Sequence, residues 1–183
     1  LILFRSKDAT LNDAAFTMFA IIYGGLFPIH AIMIRNITES SFMFAGHELP
    51  IGLGLILLTF LAVPACDIGA FYAGRYLGKH SLWKEVSPKK TIEGSIGGAL
   101  GSMLLALLIG HFIGIGIVHS AIIGVIIATF AQLGDLAESM IKRDAGVKDS
   151  GTLFPGHGGV LDRSDSYILS VVAAYYYFQM FIV

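Results

Sequence analysis

Between Gly134 and Ser166 the chain carries six carboxylates, four cations, one histidine and a run of glycines, with strongly apolar sequence on both sides. Charge that dense beside membrane-length apolar stretches is costly unless it is used. Asp135, Glu138, Ser139 and Lys142 fall at i, i+3, i+4 and i+7, so a helix places them on one face. Asp162, Asp165 and Ser166 fall at i, i+3 and i+4 and share a face of the next helix. Carboxylates from separate helices suit Mg²⁺, which prefers oxygen ligands and keeps waters or substrate phosphates in its shell. Between them, Gly156-His157-Gly158-Gly159 exposes backbone N–H groups at a helix N-terminus, where anions bind. The chemistry these residue types suit is divalent metal and phosphate chemistry at a membrane surface. A snorkelling helix end with a Glu–Lys pair would account for the first group alone. Helix capping would account for Asp162 or Asp165 alone. Neither accounts for the acids, the glycines and Arg163 together.

Two upstream segments extend the pattern. Asp67, Phe71 and Arg75 repeat every four residues, so the acid and the arginine share a helix face. Ser87, Lys89, Lys90 and Thr91 then offer ammonium and hydroxyl groups suited to phosphate oxygens, although a basic loop is also attracted to anionic lipid without any catalysis. Zinc is disfavoured, because Cys66 is the only cysteine and the six histidines show no ligand spacing. Gly94, Gly97, Gly98 and Gly101 read as helix packing, since no strand and turn precede them as a dinucleotide fold requires.

The elements that position these groups must be membrane helices. Of the 183 residues, 55% are hydrophobic and 14% charged, and the mean hydropathy is +0.76. Soluble domains carry about 25% charged residues. The expected fold is all-α, a polytopic transmembrane helix bundle of about five spans near 14–34, 49–71, 95–117, 119–141 and 160–183. Residues 36–48, 78–94 and 143–159 read as loops within a single membrane-embedded domain, 1–183. The net charge of −1 lacks the basic field that nucleic acid would attract.

With five alternating spans, eleven of the twelve Lys and Arg residues fall on one side and only Arg35 on the other. The positive-inside rule makes the rich side cytoplasmic. The loops near 78–94 and 143–159 are then cytoplasmic, and Asp67, Asp135, Glu138, Asp162 and Asp165 reach the same leaflet. Sequence-distant acids gathered at one depth point to one site.

Ser139-x-Ile141-Lys142-Arg143, four residues, Lys148-Asp149-x-Gly151, then Pro155-x-His157-Gly158-Gly159-Val160-x-Asp162-Arg163-x-Asp165 closely resembles the signature of the phosphatidate cytidylyltransferases, the CDP-diacylglycerol synthases. Cys66-Asp67-Ile68-Gly69-Ala70 and Ser87 through Gly94 also look like that family's pattern, so the likeness runs from about residue 62 to 167. Ser164 stands where the family usually has an apolar residue or Thr. Members are usually longer, with further N-terminal membrane helices, so the resemblance implies that this chain is the C-terminal catalytic part of a longer protein. It implies a reaction of CTP with phosphatidate, giving CDP-diacylglycerol and pyrophosphate at the cytoplasmic face of the inner (cytoplasmic) membrane.

It also implies roles. Asp135 and Asp162 would be metal ligands, for Mg²⁺ with or without a second cation. Lys142, Arg163 and Asp165 would join them as catalytic residues. Asp67, Ser87, Lys89, Lys90, Thr91, Glu138, Ser139, Arg143, Lys148, Asp149, His157, Gly158 and Gly159 would bind the nucleotide and lipid phosphates. The expected partners are CTP, phosphatidate and membrane lipids, not nucleic acid, with a homodimer as one assembly to consider. Three alternatives stand beside this reading: a CTP-dependent kinase of a polyprenol, phytol or diacylglycerol; an ion-coupled transporter, which would place its acids at mid-membrane rather than at one leaflet; and a noncatalytic assembly subunit.

Overall fold

The structure, a computed structural model, describes residues 10–147, 150–151 and 159–183. Arg5 and Lys7, counted in the charge asymmetry, lie outside the described residues. Among the described residues five helices form an up-and-down bundle: α1 (Leu11–Arg35), α2 (Ile51–Leu77), α3 (Ile92–Phe112), α4 (Ile117–Asp144) and α5 (Leu161–Phe181). The first four are long and apolar enough to cross a membrane. The expected fifth span does form as a helix, but its charged first turn, its serines and its tyrosines dilute its apolar stretch. It packs mainly against α4 and α1.

The helix ends follow local chemistry. Thr10 and Asp13 form a reciprocal capping box that starts α1. Thr91 starts α3, its hydroxyl accepting the Gly94 N–H at 3.1 Å. Both α3 and α4 end on a glycine in the left-handed region, Gly114 at φ 79° and Gly146 at φ 68°. In each case the amide after the glycine bonds back to the carbonyl five residues earlier, Ile115 to Gly110 at 2.8 Å and Val147 to Lys142 at 3.0 Å. This closing pattern satisfies carbonyls that the helix would otherwise leave bare. The stop at Gly114 is why α3 ends five residues before the expected boundary at 117.

Two segments expected as loops contain antiparallel hairpins. Strands β1 (Ser41–Phe44) and β2 (His47–Pro50) are joined by Ala45 and Gly46, both at positive φ (50° and 83°). A two-residue turn of that hand matches the twist of the strands. Alanine is an uncommon residue there, so the turn carried little signal. Strands β3 (Ser81–Trp83) and β4 (Ser87–Thr91) form the second hairpin, which presents Lys89 and Lys90 on consecutive positions immediately before α3.

Small residues set the helix spacing. A β-carbon on Gly98 would lie 2.9 Å from both the carbonyl oxygen and the sulfur of Cys66, and one on Gly101 would lie 2.6 Å from the Ala65 carbonyl oxygen. Thus α2 and α3 touch backbone to backbone, the geometry small residues permit in membranes. Pro64 lies inside α2 and has no N–H to donate to the Phe60 carbonyl. The Tyr167 hydroxyl of α5 donates to that carbonyl at 3.3 Å, so a neighbouring helix makes good the lost bond. The apolar core, including Ile34, Leu55, Leu58, Ile123, Ile127, Val171 and Phe178, gathers toward the β1–β2 end. The polar residues concentrate at the other end.

Candidate active site

At the polar end, α4 and α5 cross through Gly134, and the crossing sets Asp165 beside Asp135 and Glu138. One oxygen of each of these three carboxylates lies within 4.8 Å of the others. Glu138 is 1% exposed, and its Oε1 has no hydrogen-bond partner among the described residues. A buried carboxylate oxygen left unpaired is costly. The arrangement therefore suits a hard cation, which would take up the unpaired oxygen and the mutual repulsion together.

Lys142 joins this group to Asp162. Its Nζ lies 2.5 Å from Glu138 Oε2, one turn back on α4, and 2.8 Å from Asp162 Oδ1 at the start of α5. The other oxygen of Asp162 accepts from the Ser150 amide at 2.9 Å, the Ser150 hydroxyl at 2.8 Å and the Gly159 amide at 2.7 Å. Asp162 thus ties both flanks of the 145–160 connection to α4. Asp165, three residues on, faces the acid group instead. Asp162 and Asp165, expected on one helix face, thus have different partners.

A cavity of about 540 Å³ adjoins the acids. Its walls come from α2 (Asp67, Phe71, Arg75), the second hairpin (Leu82, Lys89, Lys90, Thr91), α3 (Gly94, Ser95) and α4 (Gln132, Asp135). Asp135 belongs both to this wall and to the three-carboxylate group, so cavity and acids are contiguous. Lys90 Nζ lies 2.5 Å from Asp135 Oδ2 and makes no aligned hydrogen bond among the described residues. Arg75 lies over the Phe71 ring with its guanidinium carbon 5.9 Å from the centroid. Around the whole site five carboxylates (Asp67, Asp135, Glu138, Asp162, Asp165) meet four cations (Arg75, Lys89, Lys90, Lys142), of which only Lys90 and Lys142 pair with an acid among the described residues.

The remaining sequence-predicted residues are distributed as follows. Thr91 lines the cavity, but its hydroxyl also caps α3. Ser87 sits opposite Trp83 in the hairpin and is not part of the cavity wall. Ser139 is half-buried on α4, while Arg143 and Arg163 are exposed at the end of α4 and the start of α5. Gly159 contributes its amide to Asp162. Lys148, Asp149, His157 and Gly158 lie outside the described residues.

Three residues escaped the sequence reading. Gln132 donates to the Ser95 carbonyl at 3.2 Å and to Cys66 Sγ at 3.5 Å, and its amide oxygen accepts from the Ser95 hydroxyl. It locks α4 to α2 and α3 three residues before Asp135. Tyr23 of α1 is 7% exposed, and its hydroxyl has no partner among the described residues. Gln132 could have been found as an amide within an apolar run. Nothing in the sequence marks Ser95 or Tyr23.

Comparison with known proteins bears on this site. A sequence profile described as the cytidylyltransferase family matches residues 1–181. A protein of Synechocystis sp. named phosphatidate cytidylyltransferase is 38% identical over 96% of this chain and 66% of its own length. Proteins of the same name from Staphylococcus saprophyticus and Staphylococcus aureus are each 42% identical over 85% of this chain and 55% of their own length. The chain thus spans between about half and two thirds of the curated relatives it matches.

Proposed function

The chain belongs to the cytidylyltransferase family, and from that premise we propose that it transfers the CMP group of CTP to the phosphate of phosphatidate, giving CDP-diacylglycerol and pyrophosphate. The observation that carries this reading is the double membership of Asp135, in the carboxylate group and in the cavity wall. A nucleotide in the cavity would present its phosphates to the acids, with its remainder against Phe71. The cavity volume falls in the range of about 300–1,000 Å³ common for small-molecule sites.

In the proposed reaction a phosphate oxygen of the lipid attacks the α-phosphorus of CTP, and the bond to the β-phosphate oxygen breaks. A phosphate monoester is largely dianionic near neutral pH, its second pKa being about 6, so the attacking group needs no strong base. The work left to the protein is holding two anions in line and stabilising the charge that moves onto pyrophosphate. Asp135, Glu138 and Asp165 would hold a divalent cation, and Mg²⁺ when bound would supply charge neutralisation between the two phosphates. Lys89 and Arg75 line the cavity as further phosphate partners. Lys142 holds Glu138 and Asp162 at fixed separation, and Asp162 in turn fixes the Ser150 and Gly159 amides. Arg163, exposed in the first turn of α5, is assigned to the leaving pyrophosphate by its place in the family signature alone.

We place the site at the cytoplasmic face, on the charge asymmetry of the loops. Purified protein in detergent, given CTP labelled at the α-phosphate, phosphatidate and Mg²⁺, is expected to form a labelled liponucleotide. Asp135→Asn should lower that rate by at least about a hundredfold. Label reaching lipid only from the γ-phosphate would replace this reading with a lipid kinase.

A further inference from the structure

Lys90 stands out among the cations of the site. It pairs with a cavity-wall carboxylate at 2.5 Å, yet its Nζ is buried and makes no hydrogen bond among the described residues. An ammonium group has three N–H donors, and burying them unspent is unfavourable. Its neighbour Lys89 lines the same cavity but is exposed. The partner of Lys90 is Asp135, which also belongs to the three-carboxylate group.

We infer that Lys90 and the divalent cation compete for Asp135, and that the displaced Lys90 ammonium becomes a ligand for the nucleotide's phosphate in the adjoining cavity. The inference rests on the cation reading above and adds a coupling between the two ligands. A divalent ion and an ammonium on one carboxylate repel each other. A cation arriving alone must therefore break the Lys90–Asp135 pair and strand a buried ammonium. A nucleotide in the cavity offers that ammonium phosphate oxygens and lets its unused donors form charge-assisted hydrogen bonds. Cation and nucleotide then help each other to bind, and by linkage each raises the affinity for the other by the same factor. The strand-to-helix junction at Thr91 holds the backbone of Lys90 in place, so only its side chain has to turn.

The test measures Mn²⁺ binding to the full chain in detergent from the electron paramagnetic resonance signal of the free ion. It is run with and without a CTP analogue carrying a methylene bridge between the α- and β-phosphates. Lys90→Met should bind Mn²⁺ alone about tenfold more tightly than the unaltered chain, and the analogue should close that gap to within about threefold. Lys89→Met removes an equal charge from the same cavity without removing the pair, and should shift Mn²⁺ affinity by less than about threefold. Lys90→Gln gives the same comparison should the Met variant extract poorly. Asp135-dependent Mn²⁺ binding that is indifferent to both Lys90 substitutions, or that tightens equally in Lys89→Met, overturns the inference alone. Mn²⁺ binding that is absent, or unchanged in Asp135→Asn, overturns the cation reading and the inference with it.

Discussion

Gly134 packs so closely on Asp165 that a β-carbon there would strike the Asp165 carbonyl oxygen and lie 3.2 Å from its carbonyl carbon. Both neighbours are backbone atoms and cannot turn aside. Gly134→Ala should therefore push α4 and α5 apart at the acids, lowering stability by about 1–3 kcal/mol and activity by more. Gly24→Ala in α1 has open space around it and should leave both unchanged or slightly raise stability. Thermal unfolding in detergent and the labelled-CTP assay check the pair.

The two acids of α5 should separate experimentally. Asp165→Asn removes a member of the three-carboxylate group and should weaken Mn²⁺ binding by at least about tenfold. Asp162→Asn removes the anchor of Lys142, Ser150 and Gly159, and should lower stability more than it lowers cation affinity. Equal loss of cation affinity in both variants would return Asp162 to the role of direct ligand.

Lys142 bridges Glu138 and Asp162, and Glu138 is almost fully buried. Lys142→Met strands Glu138, while Asp162 keeps its Ser150 and Gly159 donors, and should cost about 3 kcal/mol of stability. Adding Glu138→Gln should restore part of that loss, because the uncompensated buried charge is then gone. A double mutant no more stable than Lys142→Met would show that the pair contributes little.

Sidedness has a direct test. Cysteines placed at 89 and 148 should resist a membrane-impermeant maleimide in intact cells, while one at 43, exposed on the β1–β2 hairpin, should react. Cys66 is buried and should give little background. Strong labelling at position 89 would reverse the orientation.

The helices and the polar face of α4 were legible because both depend on spacing along one segment. Glu138 and Lys142 are an i, i+4 pair in sequence and an ion pair in space. What sequence could not supply was the relation between segments. The Lys90–Asp135 pair, the approach of Asp165 to Glu138 and the lock at Gln132 all depend on how deeply glycines let backbones interpenetrate. The two acids of α5 looked equivalent by periodicity, and only the crossing at Gly134 distinguishes them. The hairpins were missed for a local reason: Ala45-Gly46 makes a turn usually built from Asn-Gly, and Ser87 through Thr91 mixes proline and lysines that β-strands disfavour.

The length of α4 bears on how the substrates meet. Its 28 residues extend about 42 Å at 1.5 Å per residue, against about 30 Å of hydrocarbon. If the apolar stretch beginning at Ile117 fills the hydrocarbon, the overhang falls on the last two turns, Asp135 comes to lie at the edge of the hydrocarbon about 27 Å from Ile117, and Glu138 and Lys142 lie beyond it toward the lipid phosphates. A phospholipid precursor would then reach the acids by lateral diffusion, never leaving its leaflet. Only the water-soluble partner would have to arrive from a third dimension, and the encounter rate would be governed by the surface density of the lipid rather than by its bulk concentration.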